Sequence, residues 1–378
     1  FFLLVMIAYA FDFGNLKYAM AWCFSAVYFL GSGLYEKRRL RGIGKEYLLI
    51  FGGITFLFAI TAILQMINGF NSYAINEAVY YYTPLIFIIV YSQISDEQDV
   101  ETILNYLFVL YIIAFFKNFA GQLTLANIKS ISFANSYSPF ESELAFVFLI
   151  FECFYLYMGK RKKAIISLLL CILSFKRICM LVAISFFVLS KWLIQKKPIS
   201  KKMVFSAVIF FVLLPTLTCV MLNDTFEAWF YQTFHITLYE ATLSRSSRIE
   251  AVMNSGQIKY GLGSVTTYLT RYLNTMHGSN FASRSMHNDL VQMYLECGIL
   301  GSIVFTYVYM RAASVNRMSF ALMCYVFFEC YFNHLFGAGC THIWVLIYLM
   351  MSIAGMTTRN GENDGEENGT NYSFYTDI

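Results

Sequence analysis

The feature that most limits what this chain can fold into is a succession of long apolar runs, most of them near the ~20 residues that a helix needs to cross hydrocarbon. They lie at 1–11 (a fragment), 18–34, 47–67, 78–94, 102–120, 139–158, 164–175, 178–194, 203–221, 288–309, 318–333 and 342–356. Charged residues are only 13% of the chain, about half the ~25% usual in soluble domains. A soluble globule of this kind would expose large sticky patches. The runs do not alternate polar and apolar, which disfavours a transmembrane barrel. The expected fold is therefore an all-α polytopic membrane protein with about eleven or twelve transmembrane helices. Residues 1–356 read as one transmembrane domain carrying a long extracytoplasmic loop, 222–287. Residues 357–378 read as a disordered, acidic, cytoplasmic tail. No period typical of solenoids or propellers is visible.

The net charge is +4, and the basic residues fall in short runs between apolar segments. Membrane topology explains such runs better than nucleic-acid binding does. Linkers 35–46, 159–163, 195–202 and 310–317 carry the basic residues and are assigned to the cytoplasm with both termini; the turn from Ser95 to Glu101 is acidic and gives the rule no support. The nine cysteines show neither a CxxC pair nor metal spacing, so they read as small buried hydrophobes. No signal peptide is visible at Phe1, and the true start is expected to have been cut away or to lie upstream.

Residues 164–190 lie between two basic runs that both belong on the same side, so two passes are needed. Residues 164–175 give about 18 Å of helix, short of the ~30 Å hydrocarbon core. A helical hairpin that does not fully cross satisfies both conditions. Its tip, Ser174-Phe175-Lys176-Arg177, would sit in a cavity below the outer surface. An arginine at that depth costs about 2.5–3.5 kcal/mol on insertion scales, so it needs a partner or a task. Arg177 is either such a residue or an interfacial arginine that snorkels to headgroups. Lys176 is the weaker candidate of the two. Intramembrane Glu152 and Glu329 are further candidates, with helix packing as the alternative.

Segment 222–287 is the long polar insertion in the body of the chain, and loops of this length are usually functional. Arg245 and Arg248, three residues apart, share a helix face. Their guanidinium forks suit phosphate oxygens; an amphipathic helix lying on anionic lipid is the alternative. Gly261-Leu262-Gly263 marks a turn and lacks the strand–turn–helix setting of a nucleotide loop. At the end of the segment come Arg284, His287, Asn288 and Asp289. Asn288 and Asp289 suit a helix start, which would hold His287 at a helix mouth, ready to take a proton. A plain boundary histidine is the alternative. All five histidines fall at or beyond the outer boundary, which makes that face the chemical one. An outward cavity with arginines and one histidine suits an anionic leaving group and a hydroxyl to be deprotonated. No Asp/Glu cluster with metal spacing accompanies them, so the arginines would replace the usual cation.

In these features the chain resembles the O-antigen polymerase and ligase family of bacterial membrane glycosyltransferases. The residues that carry the likeness are the Arg177 hairpin, the early loop arginine (Arg245 or Arg248), Gly261-Leu262-Gly263, and His287-Asn288 followed by Glu296-Cys297-Gly298-Ile299-Leu300-Gly301. It covers roughly residues 135–356 by motif order. Lys176 departs from the pattern, standing where a small residue is more usual. The resemblance implies a C-type glycosyltransferase-like fold in the bacterial cytoplasmic (inner) membrane, with the active site facing the periplasm or exterior. It implies a glycan carried on undecaprenyl diphosphate as donor and no cofactor or metal. Its implied partners are membrane lipids and the flippase and chain-length regulator of the same pathway, with no nucleic acid. By this likeness Arg177 and Arg248 hold the diphosphate, and His287 acts as base on the acceptor hydroxyl or orients it. Arg245, Arg284, Asn288 and Lys176 assist in substrate binding.

Polymerases and ligases share these motifs. A polymerase of O-antigen, capsule or exopolysaccharide is favoured, because polymerases are the more divergent and this sequence is rich in Phe and Tyr. The alternatives are a ligase to the lipid A core, a transporter or flippase of lipid-linked oligosaccharide, and a non-catalytic scaffold. A transporter would show matched features in two halves, whereas the hairpin and the long loop both lie in the second half.

Overall fold

Among the described residues all regular structure is helix. The structure, a computed structural model, describes residues 2–11, 13–35, 45–94, 97–130, 140–242, 245–256, 260–277, 286–337 and 340–370. Its helices are α1 Phe2–Ala10, α2 Leu16–Tyr35, α3 Lys45–Asn68, α4 Tyr73–Ile94, α5 Glu97–Gln122, α6 Leu125–Lys129, α7 Leu144–Tyr157, α8 Arg161–Leu173 and α9 Arg177–Val188. They continue as α10 Ser190–Leu193, α11 Lys201–Met221, α12 Asp224–Phe234, α13 Leu238–Ala241, α14 Arg245–Asn254, α15 Ser264–His277, α16 Asp289–Ala313, α17 Arg317–Phe332 and α18 Thr341–Thr370.

The apolar runs fold as helices because only a helix satisfies its own backbone in hydrocarbon. α7 is apolar all round and is buried from Ala145 to Tyr157, which makes it a central helix of the bundle. It packs on α8 and α9, while α16 packs on α3 and α11, and α18 on α4. This is an all-α membrane protein. Among the described residues five helices are long and apolar enough to cross: Glu46–Asn68, Tyr73–Tyr91, Gln98–Gln122, Lys201–Met221 and Asp289–Ala313. Leu144–Tyr157 and Arg177–Val188 are apolar but short, reaching about 18–21 Å.

The short hairpin expected at 164–190 is formed by α8 and α9 around a tight turn in which Phe175 takes a left-handed backbone (φ 51°). Among the described residues of segment 222–287 lie the helices α12 to α15. α12 buries none of its residues, and its Trp229, Tyr231 and Phe234 are exposed, as suits a helix lying in a membrane interface. α18 runs past the last apolar run as far as Thr370. Extending a helix already nucleated by the apolar part needs only one further hydrogen bond per residue.

One end of the bundle gathers three of the basic linkers. Lys160 pairs with Glu101, and Lys163 Nζ donates to Asn105 Oδ1 at 2.6 Å. The Ile199 N–H donates to the Ser314 carbonyl at 2.9 Å, and Arg317 lies over the Trp192 ring at 5.2 Å. The acidic turn that the charge rule left unexplained is thus partnered: Glu101 answers Lys160.

At the opposite end Gly261-Leu262-Gly263 fastens α15 to the bundle. The Gly261 N–H donates to the Glu296 carbonyl at 3.0 Å, and the Leu262 N–H donates to Thr61 Oγ1 at 3.1 Å. Glu296, almost fully buried, accepts from the Val265 N–H at 3.0 Å and from Gln292 Nε2 at 3.2 Å, so its carboxylate sits at the start of α15. α16 itself breaks at Gly298 (φ 68°, ψ −172°). Gly263 has φ +81°, and a Cβ there would come within 2.7 Å of the Ala74 nitrogen and the Tyr73 carbonyl carbon. Gly263→Ala is therefore expected to destabilise the fold by about 2 kcal/mol or more, from the left-handed backbone alone and then the clash. Thermal unfolding of the detergent-solubilised protein checks it; an unchanged midpoint would mean that the turn is not held as described.

Candidate functional site

The site lies at the end of the bundle opposite the basic linkers, where α16 and α18 begin and α17 ends. Asn288 is the N-cap of α16: its side chain accepts from the Val291 N–H at 3.0 Å. Next to it, Asp289 is buried and is the node of the site. Its Oδ2 accepts from the backbone N–H groups of Leu335 (2.6 Å) and Phe336 (3.0 Å), and its Oδ1 meets His334 Nδ1. Burial opposes charge on His334, but the charge and hydrogen bond of Asp289 prevail and hold its pKa up at about 9, with help from Glu77. His334 is thus a cation at neutral pH.

His287 precedes this cap with a left-handed backbone, φ 54°. Non-glycine residues in that region are uncommon, and they gather where surrounding structure over-determines them. Burial pushes the His287 pKa down to about 4, and the nearby Arg248, His334 and Arg245 push the same way against Asp289. At neutral pH His287 is therefore an uncharged imidazole among cations. Arg245 and Arg248 are half-buried on α14. Burial lowers the pKa of each, and Arg248 adds to the effect on Arg245; an arginine remains charged regardless.

Arg245 and Asn288 wall a cavity of about 300 Å³ that is otherwise mostly apolar, with Met221, Leu222, Phe226 and Leu238 among its lining. From α17, fully buried Glu329 accepts from Asn333 Nδ2 at 2.7 Å and lies within electrostatic reach of both Arg245 and Lys176.

The structure thus brings together His287, Arg245, Arg248 and Asn288. At the hairpin it turns Lys176 inward and leaves Arg177 exposed in the first turn of α9. Lys176 has a side chain only 16% exposed, sits 4.0 Å from Glu141 and lies over the Phe146 ring at 4.2 Å. Both follow Phe175, whose backbone is left-handed. Arg284 lies outside the described residues. Glu152 is wholly buried in α7 and both its carboxylate oxygens are without a hydrogen-bond partner among the described residues. The Asp289–His334 pair was not singled out by sequence reasoning. Forty-five positions separate the two, and the one available signal was that both border the outer face. Six of the nine cysteines are buried and none is disulfide-bonded. Among the described residues no group of three or more His, Cys, Asp or Glu side chains could hold a metal ion.

The raised pKa of His334 has a stability consequence. A group whose folded pKa lies above its free value of about 6.5 stabilises fully below that value and loses its contribution as pH climbs through the folded value. The unfolding midpoint is thus expected to decline between pH 6.5 and about 9, and Asp289→Asn should remove that decline. Because it leaves a buried partner group unmatched, Asp289→Asn should also cost roughly 3 kcal/mol. A pH-independent midpoint in the unsubstituted protein would refute the pairing.

No family model, no curated protein and no solved structure matches this chain.

Proposed function

We propose that the chain is a membrane glycosyltransferase that polymerises a surface polysaccharide, moving a growing glycan from undecaprenyl diphosphate to a hydroxyl of a lipid-linked repeat unit. The observation that carries this reading is the apolar cavity with Arg245 in its wall, Arg248 beside it and neutral His287 at the adjoining helix mouth. An apolar cavity with one guanidinium group in its wall and a second within electrostatic reach of the first fits an amphiphile with an anionic head. A neutral imidazole next to it fits the removal of a proton from an alcohol.

In the proposed step the acceptor oxygen forms a bond to the anomeric carbon, and its proton passes to His287. The bond from the anomeric carbon to the diphosphate oxygen breaks, and the electron pair leaves with the diphosphate. Arg245 and Arg248 offset the charge that develops there, the kind of fixed electrostatic assistance that dominates such reactions. Arg177, exposed, has a smaller part in this scheme than Lys176, which stands 4.0 Å from Glu141 and within electrostatic reach of Glu329.

A second reading, transport of the same lipid-linked unit, draws on the break of α16 at Gly298, since interrupted membrane helices often line transport sites. One experiment separates the two. The purified protein in proteoliposomes, given lipid-linked repeat units, is expected to yield a ladder of longer glycans. Single units that only change leaflet would establish transport, and neither result would remove both readings.

A further inference from the structure

The end of the bundle that gathers the basic linkers carries a groove that the reaction above does not use. It has a volume of about 380 Å³ and runs between α9, α10, α11 and α17. Phe186, Trp192, Met203, Phe211, Phe320 and Phe328 form most of its wall. Its one hydroxyl, on Tyr325, is engaged with Cys179 Sγ at 3.3 Å. The wall therefore offers mainly hydrocarbon and aromatic carbon, and a polar molecule would lose its hydration there without return.

The rim has the opposite character. Segments 190–202 and 311–317 meet at that end and hold five lysines and two arginines but no acid. The Ile199 N–H donates to the Ser314 carbonyl and so fastens one segment to the other. The Arg317 guanidinium lies 5.2 Å over the ring of Trp192, itself a wall residue. Lys191 adjoins Trp192, and Lys201 and Lys202 open α11 just before Met203. All five lysines are exposed, and none is in an ion pair among the described residues.

An apolar groove that ends in an unbalanced group of cations is complementary to an amphiphile with an anionic head. The dimensions agree. From Arg317 to Phe328 α17 rises about 16 Å, close to the ~15 Å of hydrocarbon in one leaflet. A chain whose head lies at the arginine thus ends near Phe328. A lipid-linked donor is a different molecule at a different place, because its diphosphate belongs with Arg245 and Arg248 at the opposite end.

We propose that this groove is a binding site for an anionic phospholipid, with one acyl chain against Trp192, Phe320 and Phe328 and the phosphate among Arg317, Lys201 and Lys202. The site does not depend on the glycan reading. An apolar helix of a partner protein would fill the groove without requiring an anionic head, and free phosphate would use the cations and leave the groove empty.

The test uses the full chain in phosphatidylcholine nanodiscs, into which phosphatidylglycerol or phosphatidylcholine with brominated chains is titrated while tryptophan fluorescence is read. The Trp192 share of the quenching is the difference between the unsubstituted protein and Trp192→Phe. It is expected to reach half its maximum at an at least tenfold lower fraction of the phosphatidylglycerol. Arg317→Gln and Lys202→Gln should each raise the fraction required by about fivefold, the worth of one basic side chain at anionic lipid. Millimolar inorganic phosphate should change nothing. Native mass spectrometry of the unsubstituted chain makes the same comparison without a variant: phosphatidylglycerol should be retained where phosphatidylcholine is stripped. Equal quenching and equal retention of the two lipids overturn the proposal, as does a preference that both substitutions leave unchanged or that phosphate abolishes. Absence of any Trp192 quenching would mean that something other than lipid covers the groove, and overturns it equally.

Discussion

His287→Ala is expected to leave the protein in the membrane at its normal level and to cut polymer formation by about 10²–10⁴-fold, the usual worth of a positioned general base. The helix mouth has holds other than the imidazole. Asn288 caps α16 and Asp289 ties the 335–336 backbone, so the helix mouth survives the substitution. What is lost is the neutral acceptor held at it. The His287 pKa of about 4 makes a poor base while the arginines are uncompensated. A diphosphate between Arg245 and Arg248 would cancel the charges that depress it, and the pKa would then rise toward its ordinary value near 6.5. His287 would thus become a stronger base when donor is in place. The pH profile follows with a definite sign. Removing a cation raises the pKa, so in Arg248→Ala the acid limb of kcat/KM, which reports free enzyme, should move to higher pH. Histidine NMR of the donor-free protein should show the same upward movement. Full-length polymer from His287→Ala, in a polymer-deficient host complemented with each form and read as a surface-polysaccharide ladder, would remove the histidine from the chemistry.

The parts of this site that a sequence reader can reach are those set by local chemistry. Asn288 and Asp289 announce a helix start, and the structure puts the cap there. The two arginines at i and i+3 announce a shared face, and α14 presents it. The basic runs either side of 164–190 force a hairpin, and α8 and α9 form it. What stays hidden is set by long-range packing. Asp289 and His334 meet only because α17 returns to the mouth of α16, and nothing local to either residue says so. The inward side chain of Lys176 is set by its neighbours Glu141 and Phe146, some thirty positions away in the chain. Apolar runs report burial, and α7 is buried by its neighbours along its length, which lets a helix of 14 residues look like a span.

The second large effect is expected from the arginine pair. Arg245→Ala and Arg248→Ala should each lower polymer formation by about 10²–10³-fold, the worth of a fixed group facing developing charge. The double substitution should fall to the host's background. Each is half-buried on α14 and α14 packs on α15, so truncating either side chain leaves the buried face of the helix, Ser246, Ile249 and Val252, untouched. The lysine series separates charge from shape. Arg248→Lys keeps a cation near His287 but not the planar fork that grips two phosphate oxygens. It should therefore keep the depressed His287 pKa while losing about tenfold in rate, a fraction of the alanine loss. Arg177→Ala, by contrast, should stay within a few-fold of the unsubstituted protein, since its side chain is exposed and Lys176 is the one turned inward. If Arg177→Ala proves as damaging as Arg248→Ala while both loop arginines are dispensable, the diphosphate lies against the hairpin and not against α14. The apolar cavity beside Arg245 would then have to hold something other than the donor's hydrocarbon.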